Sequence, residues 1–194
     1  FSVPVGNLPG KPPVQPPIEG LIGGDLLARY DVEFNVAEGW MNLWAPSHTV
    51  AAPCAGPQGW HAIYRALPMQ FDGRRVSIAV ALNGHTLKAL VDSGARSRIV
   101  AQSVVEERLG VSAQTLAADP GGLNNGIDGR QQEYHWHQFK SLHYGLEEEK
   151  NPVLTVTPLH DVADMLLGSD WFAAHRVWIA YQTGKLYVMP AQKR

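Results

Sequence analysis

An aspartate closes an apolar run in Ala89-Leu90-Val91-Asp92-Ser93-Gly94-Ala95, the pattern of a buried strand breaking into a tight turn that presents a carboxylate. A carboxylate there loses hydration. It is kept only where turn N–H groups, the Ser93 hydroxyl or a water take the place of the lost solvent. Gly94 allows the backbone to close around the acid without a Cβ clash. The same three residues also make an ordinary strand-ending turn, and on their own they do not separate the two readings. A second group of chemically capable residues is Glu133, His135, His137 and His143. On a strand His135 and His137 share a face, which is compatible with a metal pair. No further ligand sits at a recognised spacing, so the expectation is a solvent-facing strip of His and Glu opposite core-facing Tyr134 and Trp136, with no metal and no cofactor. His160, Asp161 and Asp164 read as a polar turn. Asp25 and Asp170 read as acids placed at helix N-termini.

The elements that must carry Asp92 are legible on either side of it. Val76, Ile78, Val80 and Leu82 alternate inward, Asn83-Gly84 favours a two-residue hairpin turn, and Thr86 to Val91 returns into Asp92. Beyond it, Ser103 and Glu106 have capping-box spacing and Gly110 is a stop, which predicts a helix over Val104–Leu109. Thr115 to Gly129 reads as a loop centred on Gly126-Ile127-Asp128-Gly129. Gln131 to Tyr144 and Val153 to Thr157 read as strands, with Glu147 to Lys150 a charged turn between them.

A passage near the start recurs near the end. Gly23, Asp25, Ala28, Val32 and Gly39 match Gly168, Asp170, Ala173, Val177 and Gly184 at a constant offset, since 168 − 23 and 184 − 39 both equal 145. Leu27/Phe172, Phe34/Ile179, Met41/Leu186 and Leu43/Val188 are apolar in both copies. The expected organisation is the C-terminal part of one lobe in residues 1–44, an Ala-, Pro- and Gly-rich linker over 45–66 and a complete second lobe in 67–194. Five prolines between Pro9 and Pro17 make Leu8 to Ile18 an extended loop.

The 194 residues carry a formal net charge of −2 with Lys and Arg scattered, so no electrostatic footprint for nucleic acid or an anionic membrane is present. No apolar run reaches the length of a membrane span. The chain starts with Phe1 rather than Met, and the expectation is a processed piece whose targeting segment lies elsewhere. A single cysteine, Cys54, assigns no compartment. A soluble chain is expected, extracytoplasmic if the missing segment is a targeting signal.

The Asp92-Ser93-Gly94-Ala95 turn, the later Gly126-to-Gly129 loop and Leu166-Leu167-Gly168 opening a short helix stand in that order over about a hundred residues. Together they resemble the retropepsin-like aspartic proteases, in particular bacterial forms with two repeats. The resemblance implies a mainly β, closed-barrel lobe with a few short helices. It implies Asp92 as a catalytic aspartate within Asp92-Ser93-Gly94, and Ala95 and Gly126-Ile127-Asp128-Gly129 as substrate-binding residues, the last four forming a flap. Leu166, Leu167 and Gly168 would support the turn from behind. Two carboxylates about 3 Å apart share one proton, one activating water and the other donating to the peptide carbonyl. The implied substrate is therefore a peptide or protein. Only one such turn occurs here, and the repeat offset puts its partner at 92 − 145, before the first residue. The second aspartate is expected from an N-terminal lobe or, as runner-up, from a second copy of the chain. A catalytically inactive peptide-binding or oligomerisation module of the same fold is the alternative, and an unrelated ligand-binding β domain a third.

Overall fold

A computed structural model describes residues 20, 22–45, 56–57, 59–125, 131–159 and 163–191. In chain order the elements are α1 (Gly24–Leu27), β1 (Asp31–Asn35), a 3-10 turn (Val36–Glu38) and β2 (Trp40–Trp44), then β3 (Arg65–Asp72), β4 (Arg75–Leu82), β5 (His85–Val91) and β6 (Ile99–Ala101). Two helices follow, α2 (Gln102–Glu107) and α3 (Ala113–Ala118), then β7 (Gly121–Asn125), β8 (Gln131–Gln138), β9 (Ser141–Tyr144), β10 (Glu147–Lys150) and β11 (Val153–Thr157). The last elements are β12 (Met165–Leu167), α4 (Ser169–Ala174), β13 (His175–Ala180) and β14 (Lys185–Pro190). The chain is mainly β with a few short helices.

The alternation in β4 and β5 does what its period dictates. Val76, Ile78, Val80 and Leu82 face inward with Leu87 and Ala89, and each large side chain taken from water contributes about 2 kcal/mol. Asn83 and Gly84 both have positive φ, 49° and 82°, the backbone twist a two-residue hairpin needs. The order along the sheet is β2-β1-β13-β14-β3-β4-β5-β12-β6-β11-β8-β7, with β9 and β10 joined through β4. β12 is inserted parallel to β5, Leu166 opposite Leu90 and Leu167 opposite Val91, and antiparallel to β6.

The segments containing the recurrent residues take the same element order: helix, strand, strand. They meet side by side. β1 runs antiparallel to β13, with Val32 opposite Ile179, Glu33 opposite Trp178 and Phe34 opposite Val177. Glu33 and Trp178 are themselves 145 positions apart, so the pairing is centred on equivalent positions. Opposite faces of these strands carry different chemistry. Val32, Val177, Ile179, Leu186 and Val188 are buried on one. On the other, the fully buried Glu33 carboxylate accepts from Trp60 Nε1 at 2.7 Å, Trp44 Nε1 at 2.9 Å and Arg176 Nε at 2.8 Å. The Arg176 guanidinium lies 5.1 Å from the Trp40 ring centre and 5.2 Å from that of Trp60, close enough for cation–π attraction on both sides. Three of the six tryptophans thus clasp one ion pair, and Trp60, from the stretch expected as linker, belongs to that packing.

Several local expectations are overturned. α2 spans Gln102–Glu107, and its N-cap is Ala101 without a side-chain cap, so Ser103 lies inside the helix and the capping box does not form. The stretch expected as a loop from Thr115 contains helix α3, capped by Ser112 Oγ accepting from Thr115 N at 3.2 Å, and strand β7. Glu147–Lys150 is a strand, not a turn: β10 pairs with β9, Glu147 meets the buried His175 and Glu149 the half-buried Arg98. Gln131–Tyr144 divides into β8 and β9.

Candidate active site

β5 delivers Asp92 to a turn that closes by Ala95 N donating to Asp92 O at 3.1 Å. Gly94 N donates to Asp92 Oδ1 at 2.9 Å, which replaces part of the hydration the carboxylate gives up. A Cβ on Gly94 would lie 3.2 Å from that oxygen, a tight contact from which the carboxylate would have to shift by a few tenths of an ångström. Asp92 is half-buried; Ser93 and Gly94 are exposed, and Ala95 is half-buried.

Leu166, Leu167 and Gly168 pass directly behind this turn. Leu167 O accepts from Asp92 N at 3.1 Å, and beyond Gly168, Ser169 N donates to Ala95 O at 2.8 Å and Ser169 Oγ to Arg96 O at 2.6 Å. A Cβ on Gly168 would meet Ser97 O at 2.1 Å and Ala95 O at 2.8 Å, closer than any side chain tolerates. The aspartate's turn is therefore stitched to β12 and to the start of α4 by main-chain bonds.

Arg98, which with Arg96 is larger and more basic than the resemblance leads one to expect beside the Asp92 turn, anchors the far end of the loop. Arg98 Nε donates to Asp170 Oδ2 at 2.9 Å and Nη1 to Tyr144 Oη at 3.2 Å, and Nη1 also pairs with Glu149. Tyr144 is buried against Trp171 and His175. Burial acts against the Arg98 charge, but Tyr144, Glu149 and Asp170 outweigh it and hold the guanidinium firmly protonated. Burial, offset only in part by Arg98, pushes the Tyr144 phenol up. The signal in the sequence is an arginine leading directly into the apolar Ile99-Val100-Ala101, while its acidic partners Glu149 and Asp170 read separately as part of a charged turn and as a helix N-terminus. Asp170 does lie in the first turn of α4, and its Oδ1 accepts from Trp171 N at 2.8 Å.

Asp92 and Ser93 form part of the wall of an open depression of roughly 380 Å³, which Ile22, Leu27, Phe34, Phe172 and Ile179 also line. Gly126, Ile127, Asp128 and Gly129 fall outside the described residues; the strands on either side of them, β7 and β8, are antiparallel partners. His160 and Asp161 are likewise outside. Asp164 does not line the depression; it accepts from Lys88 N at 2.9 Å and pairs with Arg108 at 2.9 Å.

The histidine strip is oriented opposite to expectation. His135 and His137 are opposite the buried Val156 and Leu154 and turn inward, while Trp136 is 48% exposed. For His137 the reason is pairing, its Nδ1 meeting Asp119 Oδ2 at 2.6 Å; His135 Nδ1 is buried without a hydrogen-bond partner among the described residues. Among the described residues no group of three His, Cys, Asp or Glu is placed to hold a metal ion, and no helix is long and apolar enough to cross a membrane.

The aspartyl protease family model matches residues 78–171, the stretch from β4 through the start of α4 that contains the Asp92 turn and its support. No curated protein sequence matches the chain significantly. Similar solved structures include a retropepsin-like aspartic protease from Rickettsia conorii, at 20% identity over 65% of this chain and 89% of that one with a TM-score of 0.44. Basic 7S globulin from soybean is 12% identical over 67% of this chain and 42% of its own, with a TM-score of 0.39. The retroviral protease-like domain of Ddi1 from Leishmania major is 15% identical over 62% of this chain and 98% of that one, with a TM-score of 0.37.

Proposed function

We propose that this chain supplies one half of an aspartic endopeptidase of the retropepsin-like type, with Asp92 one of two carboxylates that together hold one proton. The ionised member takes a proton from water as the oxygen attacks the scissile carbonyl; the protonated member donates to the carbonyl oxygen, and the tetrahedral species collapses with proton transfer to the leaving amine. No covalent enzyme intermediate is formed. Ser93 ties the two aspartate turns together, Leu166, Leu167 and Gly168 hold this one from behind, and Ala95 with Gly126, Ile127, Asp128 and Gly129 binds the substrate backbone. An extended peptide fits such a site because main-chain hydrogen bonds supply affinity and alternate side chains supply preference.

The observation that carries this reading is the way Asp92 is held. Its carboxylate accepts from Gly94 N while its own N–H is fixed by Leu167 O, inside the segment that matches an aspartyl protease family. For the source of the second aspartate we favour a preceding lobe of a tandem repeat over a second copy of this chain. The support is the β1–β13 pairing: the first copy of the repeated segment is already joined to this lobe's own, and Ile22, Leu27 and Phe34 from it line the depression together with Asp92. The test is peptide cleavage by the assembled protein with Asp92 intact and with Asp92→Asn.

A further inference from the structure

Residues that are equivalent by the 145-residue offset have opposite environments. Leu167, Leu186 and Val188 are 0%, 0% and 1% exposed, whereas their counterparts Ile22, Met41 and Leu43 are 60%, 39% and 41% exposed. Trp171 and Phe172 are fully buried, and their counterparts Leu26 and Leu27 only half-buried. The pattern has a direction. Val32, beside the β1–β13 pairing, is as buried as its counterpart Val177, and exposure grows away from that line.

The sheet edge repeats the contrast. β14 is flanked by β13 on one side and β3 on the other, with Leu186 opposite Leu67. Its counterpart β2 pairs with β1, and among the described residues no strand lies on its other edge. A strand with an open edge and apolar side chains at alternate positions is a template for another strand.

We propose that this edge and the apolar face formed by Ile22, Leu26, Leu27, Met41 and Leu43 are the docking surface for a lobe of the same build as residues 65–191. That lobe adds a β3-like strand antiparallel to β2 and seats its own core on the five side chains, for which α1, β1 and β2 serve as the missing tail. A second copy of this chain does not fit the requirement, because the part of its β3 that would pair in this register, Arg65–Pro68, is already paired with its own β14. The inference rests on the two-lobe arrangement proposed above but not on its catalysis, since an inactive module with the same repeat would use the same surface.

The register is specific enough to test. Met41 corresponds to Leu186, which faces Leu67, and Leu67 lies 92 − 67 = 25 positions before Asp92. A photoactivated benzophenone side chain placed at Met41, in the full-length protein as its source makes it, should therefore cross-link to a residue about 25 positions before an Asp-Ser/Thr-Gly turn other than Asp92's, within the spread of the probe's reach. Leu43→Asp should abolish that cross-link. A cross-link to β2 of another copy, or a cross-linked segment with no such turn downstream, overturns the proposal, as does the absence of any cross-link from Met41, within or between chains. If the expected segment is found while Asp92→Asn leaves peptide cleavage untouched, the docking surface stands and the peptidase reading fails.

Discussion

Gly168 lies so close beneath the loop that carries Asp92 that a Cβ on it would sit 2.1 Å from the carbonyl oxygen of Ser97. That oxygen belongs to the backbone, so it cannot rotate out of the way as a side-chain tip could. Gly168→Ala should cost about 3 kcal/mol, the scale of a forced main-chain shift in a packed region, read as a lowered denaturant midpoint at unchanged slope. Gly39 provides the comparison, with φ of +77° and open space around it; alanine there should cost about 1 kcal/mol. Equal costs at the two sites would contradict the close packing of β12 under the turn.

The Arg98 network should fail as a unit. Removing the guanidinium leaves Asp170, Glu149 and the buried Tyr144 hydroxyl without their shared donor. Arg98→Met is expected to lower stability by about 2 kcal/mol, less than for a fully buried pair because both carboxylates are more than a third exposed. Arg98→Lys should restore little, since a single ammonium cannot reach three acceptors held at a fork. Full recovery by lysine, measured by thermal unfolding, would show that charge alone matters there.

The boundary of what the sequence discloses follows from these same residues. The Asp92 turn, its hairpin, the Leu166-Leu167-Gly168 strand and the recurrent segment are written in period-2 alternation, turn chemistry and a constant offset, all local signals. Arg98 was not legible because its three partners lie 46 to 72 positions away, and nothing short-range marks an arginine as buried. The inward turn of His135 and His137 escaped for a related reason. Alternation gives two faces but not which is covered, and the pairing of β8 with β11 decided it. The acidic run 147–149 read as solvated because its partners, Arg98 and His175, are supplied by tertiary packing.

Removing Arg176 should strand the fully buried Glu33 carboxylate among tryptophans. Arg176→Met is expected to destabilise the chain by about 3 kcal/mol, in the range for an uncompensated buried charge, with a change in tryptophan emission as Trp40 and Trp60 lose the cation between them. Glu33→Gln combined with Arg176→Met should recover part of that loss. If the double variant is less stable than the sum of the singles, the two residues are not compensating one another.

Alkaline pH should weaken the fold through Tyr144. Burial raises its phenol above the unfolded value, so the folded state retains a proton that the unfolded chain releases. Stability is then complete below about pH 10, the ordinary tyrosine value, and falls as pH rises from there toward the folded value, by at most about 1.4 kcal/mol per pH unit for this group. Tyr181, raised by burial as well, adds to the same slope. Tyr144→Phe should start less stable, having lost the Arg98 contact, yet decline less steeply over about pH 10 to 11.5. An identical slope in both proteins would contradict the assignment.

The central claim concerns Asp92 itself and is tested most directly by peptide hydrolysis in the assembled protein, comparing the wild type with Asp92→Asn, with thermal unfolding as the control for folding. The account predicts that the wild type cleaves peptides and that the variant, unfolding within a degree or so of it, loses activity by about three orders of magnitude or more, as expected when one member of a coupled carboxylate pair is removed. Cleavage at the wild-type rate by Asp92→Asn would contradict it.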